Sequence, residues 1–241
     1  MAIQGADGLY RGIIGNLLFR VVNGKQIVQA RTASVNHSAG TKKSSKMFGL
    51  CSSQTTEIRG KLKPWMDGMC DRRVSSRLLG HCVRILKSDV NKDLESLNVV
   101  EADMTNLKGF EFNSNSPFSS YFGGTIGVFG EPNEGLLIKI PSFISKSVLK
   151  YPLHCQNVLL KLIVFHSSLG VESIDVVEQQ EWLVEKKQEL QEEKSISIAP
   201  ILTPGITLVL VQLLYFKNKS KFGRVYINNK NLHPMQVVYA R

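Results

Sequence analysis

The stretch that most constrains this chain is residues 11 to 31, RGIIGNLLFRVVNGKQIVQAR. Asn23-Gly24 separates two apolar runs, and this dipeptide tolerates the positive φ angles that a two-residue type I′ hairpin turn requires. The turn sets a register in which Val22 opposes Lys25, Val21 opposes Gln26, Arg20 opposes Ile27 and Phe19 opposes Val28. Leu17, Phe19, Val21, Val28 and Ala30 then share one face, and Asn16, Arg20, Lys25 and Arg31 the other. A ribbon with one apolar side must lie on something, which turns its basic side outward.

Charge follows the same asymmetry. Of a net charge of +10, residues 11 to 87 carry +12, from 15 Lys and Arg against Glu57, Asp67 and Asp71, so the remainder sums to −2. Such a basic first third suits an anionic partner: nucleic acid, an acidic protein or a membrane surface. At 241 residues and 43% apolar content the chain can bury a proper core, as one large domain or two small ones. The longest apolar run, Ile206 to Phe216, is well short of the roughly 20 residues of a membrane-spanning helix. No charged leader followed by an apolar block is visible, so we expect a cytoplasmic protein, or one exported by a route the residues do not spell out. Cys51, Cys70, Cys82 and Cys155 form no C-x-x-C pair. Even with His81 beside Cys82 their spacing matches no common zinc pattern, so they read as free thiols buried as small hydrophobes, with no metal or cofactor.

After the hairpin, Thr32 to Ser45 is small, polar and basic, which predicts a loop or ordered arm containing a solvated His37. A helix is expected to start after Ser44 or Ser45, with Met47, Cys51, Ile58 and Leu62 on one stripe, and to end at Gly60 and Pro64. A second helix is expected from Asp67 or Asp71 to Ser88. Val74, Leu78, Cys82 and Ile85 line its apolar face, with Leu79, Val83 and Leu86 widening it, and Arg73, Arg77, Arg84 and Lys87 form a basic stripe. That stripe is either a phosphate-contacting surface or a solvated helix face, and the lack of aromatic interleaving favours the second. Asp89 to Asp93 imitates the opening of a calcium loop, but Leu94 and Val100 stand where glycine and glutamate are needed, so it reads as a helix-ending turn.

From Leu107 the period changes to that of strands. LKGFEFN, YFGGTIGVFG, GLLIKIPSFI, NVLLKLIVFHS, ITLVLVQLLYF, GRVYINN and MQVVYAR are β-branched or aromatic runs separated by turn residues, the pattern of an antiparallel β-sandwich. The glycines of FGGTIGVFGEPNEG match no nucleotide-binding loop and suit turns and bulges. Residues 177 to 194 have helical composition, but their place among strands favours a strand near Glu181 to Lys186 with Trp182 and Val184 inward.

GNLLFRVVNGKQIVQAR, followed by a Thr/Ser/Lys linker and FG-x-x-S-S at Phe48 to Ser53, is similar to a family of uncharacterised Bacteroidetes proteins. The Asp71-Arg72-Arg73 step and LKGFEFN at 107 to 113 belong to the same resemblance, which spans most of the chain and is closest in residues 12 to 60 and 107 to 113. It implies a glycine-rich N-terminal hairpin and an immunoglobulin-like β-rich C-terminal half, and it brings no catalytic residues. The expected architecture is therefore α+β: a basic hairpin-plus-helices module over residues 1–106, then an antiparallel immunoglobulin-like β-sandwich over residues 107–241.

No G-x-S-x-G, H-E-x-x-H or Cys-His arrangement points to an enzyme. His81, His154, His166 and His233 read as isolated structural or surface histidines, and the adjacent His154 and Cys155 would point to opposite faces of an extended chain. The leading expectation is a non-enzymatic structural or interaction protein that assembles with itself or a protein partner, an open hairpin edge being suited to strand addition. The alternative is sequence-independent nucleic-acid binding through Arg20, Lys25, Arg31, Lys42, Lys43, Arg59, Arg73, Arg77 and Arg84. A particle protein with a basic inner surface would combine the two.

Overall fold

The computed structural model describes residues 1–31, 37–66, 68–88, 102–153, 155, 157–169, 176–187, 189–219 and 223–241. The chain is α+β and divides into two compact units, Met1–Ser44 and Ser45–Arg241. The boundary expected at 106/107 therefore falls inside the second unit. The calcium-loop mimic at Asp89 to Asp93 and His154 lie outside the described residues.

In the first unit, β1 (Ile3–Gln4), β2 (Tyr10–Ile14), β3 (Leu17–Val22) and β4 (Lys25–Ala30) form an antiparallel meander in chain order. The β3–β4 register is the one the turn predicts, from Val22 opposite Lys25 to Leu17 opposite Ala30. Asn23 and Gly24 have φ of 51° and 76°, the two positive values a type I′ turn needs. Beyond the strands, the Arg31 N–H donates to the Asn16 carbonyl at 2.6 Å.

Helix α1 (Ala39–Met66) starts earlier and ends later than expected. Ser38 Oγ accepts the Thr41 N–H at 3.2 Å, so Ser38 caps the helix in place of Ser44 or Ser45. Gly60 and Pro64 do not stop it. Cys51, Thr55, Ile58, Leu62 and Met66 form a buried stripe past both residues, and burial outweighs the local preference to break. Helix α2 (Val74–Ser88) buries the expected Val74, Leu78, Cys82 and Ile85, with Leu86.

The remaining elements are β5 (Gly127–Glu131), β6 (Gly135–Ile140), β7 (Phe143–Ile144), a one-turn helix at Ser145–Val148, β8 (Asn157–Ser167), β9 (Val176–Glu185), β10 (Leu190–Gln191), β11 (Lys194–Ile198), β12 (Ile206–Lys219), β13 (Gly223–Tyr226) and β14 (Met235–Ala240). The largest sheet runs β9-β8-β12, and the far edge of β12 pairs with β14 at Leu208 to Gln212 and with β13 at Phe216 to Lys219. A second sheet has the order β11-β6-β5, and β10 pairs with β7. All these pairs are antiparallel.

Strands β8 and β12 are buried on both faces. Val158, Leu160, Leu162 and Val164 of β8, with Val209, Val211, Leu213 and Tyr215 of β12, pack against Leu136, Ile138 and Ile140 of β6. The alternate positions Ile163, Phe165, Ile206, Leu208 and Leu210 pack against α1 and α2. The second unit is thus layered as helices, large sheet, small sheet. Trp182 and Val184 join the inter-sheet core, so the ambiguous segment is a strand, shifted to end at Glu185 instead of Lys186.

LKGFEFN is not a regular strand. It leaves a 3-10 turn at Met104–Leu107, Gly109 takes φ of 83°, and only Glu111 bridges to Gln236. Its backbone still bonds to β14: the Phe112 N–H donates to Met235 O and the Val237 N–H to Phe110 O, both at 2.9 Å.

Asp71 ties the start of α2 to this segment. Its carboxylate accepts the N–H groups of Arg73 at 2.7 Å and Ser114 at 2.9 Å, and pairs with Arg77. Burial alone would raise its pKa, but those donors outweigh burial and hold it below the ordinary 3.8. A depressed carboxylate stabilises the fold above its unfolded pKa and loses that contribution as pH falls through its folded value. Asp71→Asn should therefore cost about 2 kcal/mol at neutral pH. In urea unfolding followed from pH 7 into acid, its deficit against the parent protein should narrow below about pH 4. A deficit independent of pH would assign Asp71 a packing role alone.

Candidate interaction surfaces

The first unit has no interior. None of its described residues is buried, and Ile3, Tyr10, Ile14, Leu17 and Val28 are 71%, 43%, 52%, 44% and 49% exposed. The registers put Ile14, Leu17, Phe19, Val21, Val28 and Ala30 on one face. Tyr10 joins them, its ring edge-on to Phe19 at 6.1 Å between centroids. The other face is mixed: Leu18, Val22 and Ile27 stand among Arg20 and Lys25. On the apolar side that was expected to lie on something, Ile14, Leu17, Val28 and Ala30 are exposed and Phe19 and Val21 half-buried.

Two features of this sheet are absent from the sequence reading, which began the hairpin at residue 11. Strand β2 enters through a second two-residue turn, Gly15-Asn16, with Gly15 at φ 55°. The Gln26 side chain also reaches across β3, accepting the Tyr10 N–H at 2.7 Å and donating to Tyr10 O at 2.9 Å. The signal for the turn was a Gly-Asn pair between GII and LLF. Nothing local could announce the Gln26 clamp.

The nine candidate cations fall into two groups. Arg20, Lys25, Arg31, Lys42 and Lys43 belong to the first unit and all are exposed. In the second unit, Arg73 and Arg84 are exposed, and the Arg84 Nε–H donates to Gly80 O at 3.2 Å. Arg59 and Arg77 are half-buried and serve the fold. Arg59 donates to the Ser75 hydroxyl, linking α1 to α2. Arg77 bonds Asp71, donates to Glu111 O at 2.7 Å and lies over the Phe110 ring at 5.1 Å. The basic stripe on α2 is thus interrupted at its centre by an arginine turned toward the protein.

Other polar groups are engaged internally. His166 lies between Thr207 Oγ1, at 2.9 Å from Nδ1, and Thr203 Oγ1, at 3.0 Å from Nε2. It lines an open cleft of about 520 Å³ with Glu131, Glu134 and Arg241, where Arg241 pairs with Glu131 at 3.1 Å. His233 lies 2.9 Å from Gln212 Nε2, which also donates to Trp65 O at 2.7 Å. Cys51, Cys82 and Cys155 are buried. Burial pushes the thiols of Cys70 and Cys82 up to about 12, which keeps them protonated and poorly nucleophilic. Among the described residues, no group of three metal-binding side chains comes together, and no helix is long and apolar enough to cross a membrane.

The arginines can be separated by stability. Arg77→Met should lower unfolding stability by about 3 kcal/mol, since it leaves Asp71 buried without its partner. Arg73→Gln with Arg84→Gln should stay within about 0.5 kcal/mol of the parent. Equal losses in chemical unfolding would contradict the assignment of Arg77 to the fold. Compared with protein-family models, curated proteins and solved structures, the chain finds no match.

Proposed function

We propose that this chain is a non-enzymatic structural or interaction protein that assembles, with itself or a protein partner, through the β1–β4 sheet. The observation that carries the reading is the sheet's open apolar face, with Ile14, Leu17 and Val28 each close to half exposed. A lone sheet without a covered face is marginal in water, and clustered exposed aliphatic side chains mark contact surfaces. On the same reading, the stacked β9-β8-β12 and β11-β6-β5 sheets form an immunoglobulin-like sandwich that serves as the scaffold. Membership of the Bacteroidetes family that the hairpin resembles is part of the proposal.

Nucleic-acid binding is the second reading, supported by the exposed Arg20, Lys25, Arg31, Lys42 and Lys43 of the first unit. Against it, Phe19 packs on Tyr10 and offers no free stacking platform.

Light-scattering mass over a concentration and salt series, with absorbance at 260 and 280 nm, tests both. Assembly should persist at high salt without co-purifying nucleic acid. Leu17→Thr with Val28→Thr keeps strand propensity and should weaken it by about 2 kcal/mol, or roughly thirtyfold. A nucleic-acid-free monomer at all concentrations overturns self-assembly and leaves only a protein partner, and a monomer that sheds nucleic acid as salt rises installs the second reading.

A further inference from the structure

A pocket of about 240 Å³ opens between β14 and the segment that leads into β5. Phe118, Phe122, Ile126 and Val238 give it apolar walls, and Lys108, Ser119 and Gln236 supply its polar positions. The rings of Phe118 and Phe122 are buried, 5.4 Å apart between centroids, so packing fixes the floor. Ile126 and Val238 are half-buried and leave apolar surface within reach of a ligand.

Local departures from regular structure build this pocket. Lys108 follows the 3-10 turn at Met104–Leu107, and the Gly109 N–H donates to Val237 O at 2.8 Å. On β14, Val209 opposes Tyr239 and Leu210 opposes Val237, so Val238 is left without a partner. Such a bulge re-aims side chains, and the successive residues Val238 and Tyr239 both pack on the inter-sheet core. Glu111 holds the Gln236 amide in place. Its Oε1 accepts from Gln236 Nε2 at 2.8 Å and its Oε2 accepts the Phe118 N–H at 2.9 Å. Those donors, with Arg77 nearby, offset the Glu111 charge. Gln236 keeps a second amide hydrogen to donate.

The chemistry of the pocket selects a class of ligand. An apolar cavity with a few convergent polar groups is the usual form of a small-molecule site. This one lies below the roughly 300 Å³ at which drug-sized sites begin, which suits a single ring or a short chain. Lys108 is the only charged residue of its lining. It is exposed, and among the described residues it pairs with no carboxylate.

We propose that this pocket binds a small apolar carboxylate, a one-ring or short-chain acid. Its hydrocarbon body lies on Phe118, Phe122, Ile126 and Val238, and its carboxylate meets Lys108 and the Gln236 amide. The inference is independent of assembly through the β1–β4 sheet.

Titration calorimetry of the full chain with benzoate and with hexanoate tests it, with circular dichroism confirming that each variant folds. At least one of the two acids should bind saturably, once per chain. Its uncharged amide, benzamide or hexanamide, should bind about fivefold more weakly. Lys108→Gln should weaken the acid by a similar factor and leave the amide unchanged, whereas Lys230→Gln, at another exposed lysine, should change neither. Ser119→Trp, at the exposed mouth of the pocket, should abolish binding of both acid and amide. Failure of both acids to bind saturably overturns the proposal. Binding that survives Ser119→Trp places the site elsewhere and overturns it too. Equal affinity for acid and amide, or no effect of Lys108→Gln, removes the carboxylate as the recognised group and with it the proposed class.

Discussion

Burial of β8 and β12 on both faces is the constraint on which the second unit depends. Most side chains along these two strands enter one apolar layer or the other, and each fully buried Val, Leu, Ile or Phe contributes about 1.5–3 kcal/mol. The apolar stripes of α1 and α2 share one core with alternate residues of β8 and β12 and with Phe110, Phe112 and Val237, and Leu136, Ile138 and Ile140 of β6 share the other core with the remaining residues of the two strands. The helices and the small sheet are held by opposite sides of the same two strands.

The polar groups inside this frame work by joining neighbours. Gln212 interrupts an apolar run on the helix-facing side of β12, and its amide receives the end of α1 at Trp65 O. Asn228 accepts the Tyr215 N–H at 2.7 Å and donates to Leu213 O at 2.8 Å, repairing the ladder of β12 between its β14 and β13 partners. Ser116 accepts the His233 N–H at 2.8 Å. Buried amides and hydroxyls satisfied in this way specify one arrangement of loops, because any other would leave them unpaired. The same demand fixes the buried rings of His166, between Thr207 and Thr203, and of His233, beside Gln212.

The first unit follows opposite rules. Its register is strongly specified by two positive-φ turns, yet it encloses nothing. Its cations are displayed, while those of the helices are divided between solvent and fold. Net charge along the sequence therefore overstated the exposed cations of the second unit more than those of the first.

By itself the sequence determined what local chemistry can decide. The Asn23-Gly24 turn set the hairpin register because few other residues accept two positive φ angles in succession. The stripe on α2 and the β-branched runs set element types because periodicity reflects burial. The run at Ile206 to Phe216 was legible as a strand. Its near-continuous apolar character, the mark of cover on both sides, was read as one layer of a sandwich. Tertiary structure alone decided that the helices supply that second cover, that α1 runs through Gly60 and Pro64, and that LKGFEFN bridges β14 without becoming a strand. It also divided the arginines, since Arg77 and Arg73 look alike on a helical wheel and differ only in what Asp71, Glu111 and Phe110 bring to meet them. These outcomes depend on contacts between residues distant in the chain, whose burial energies exceed the local preferences that a sequence displays.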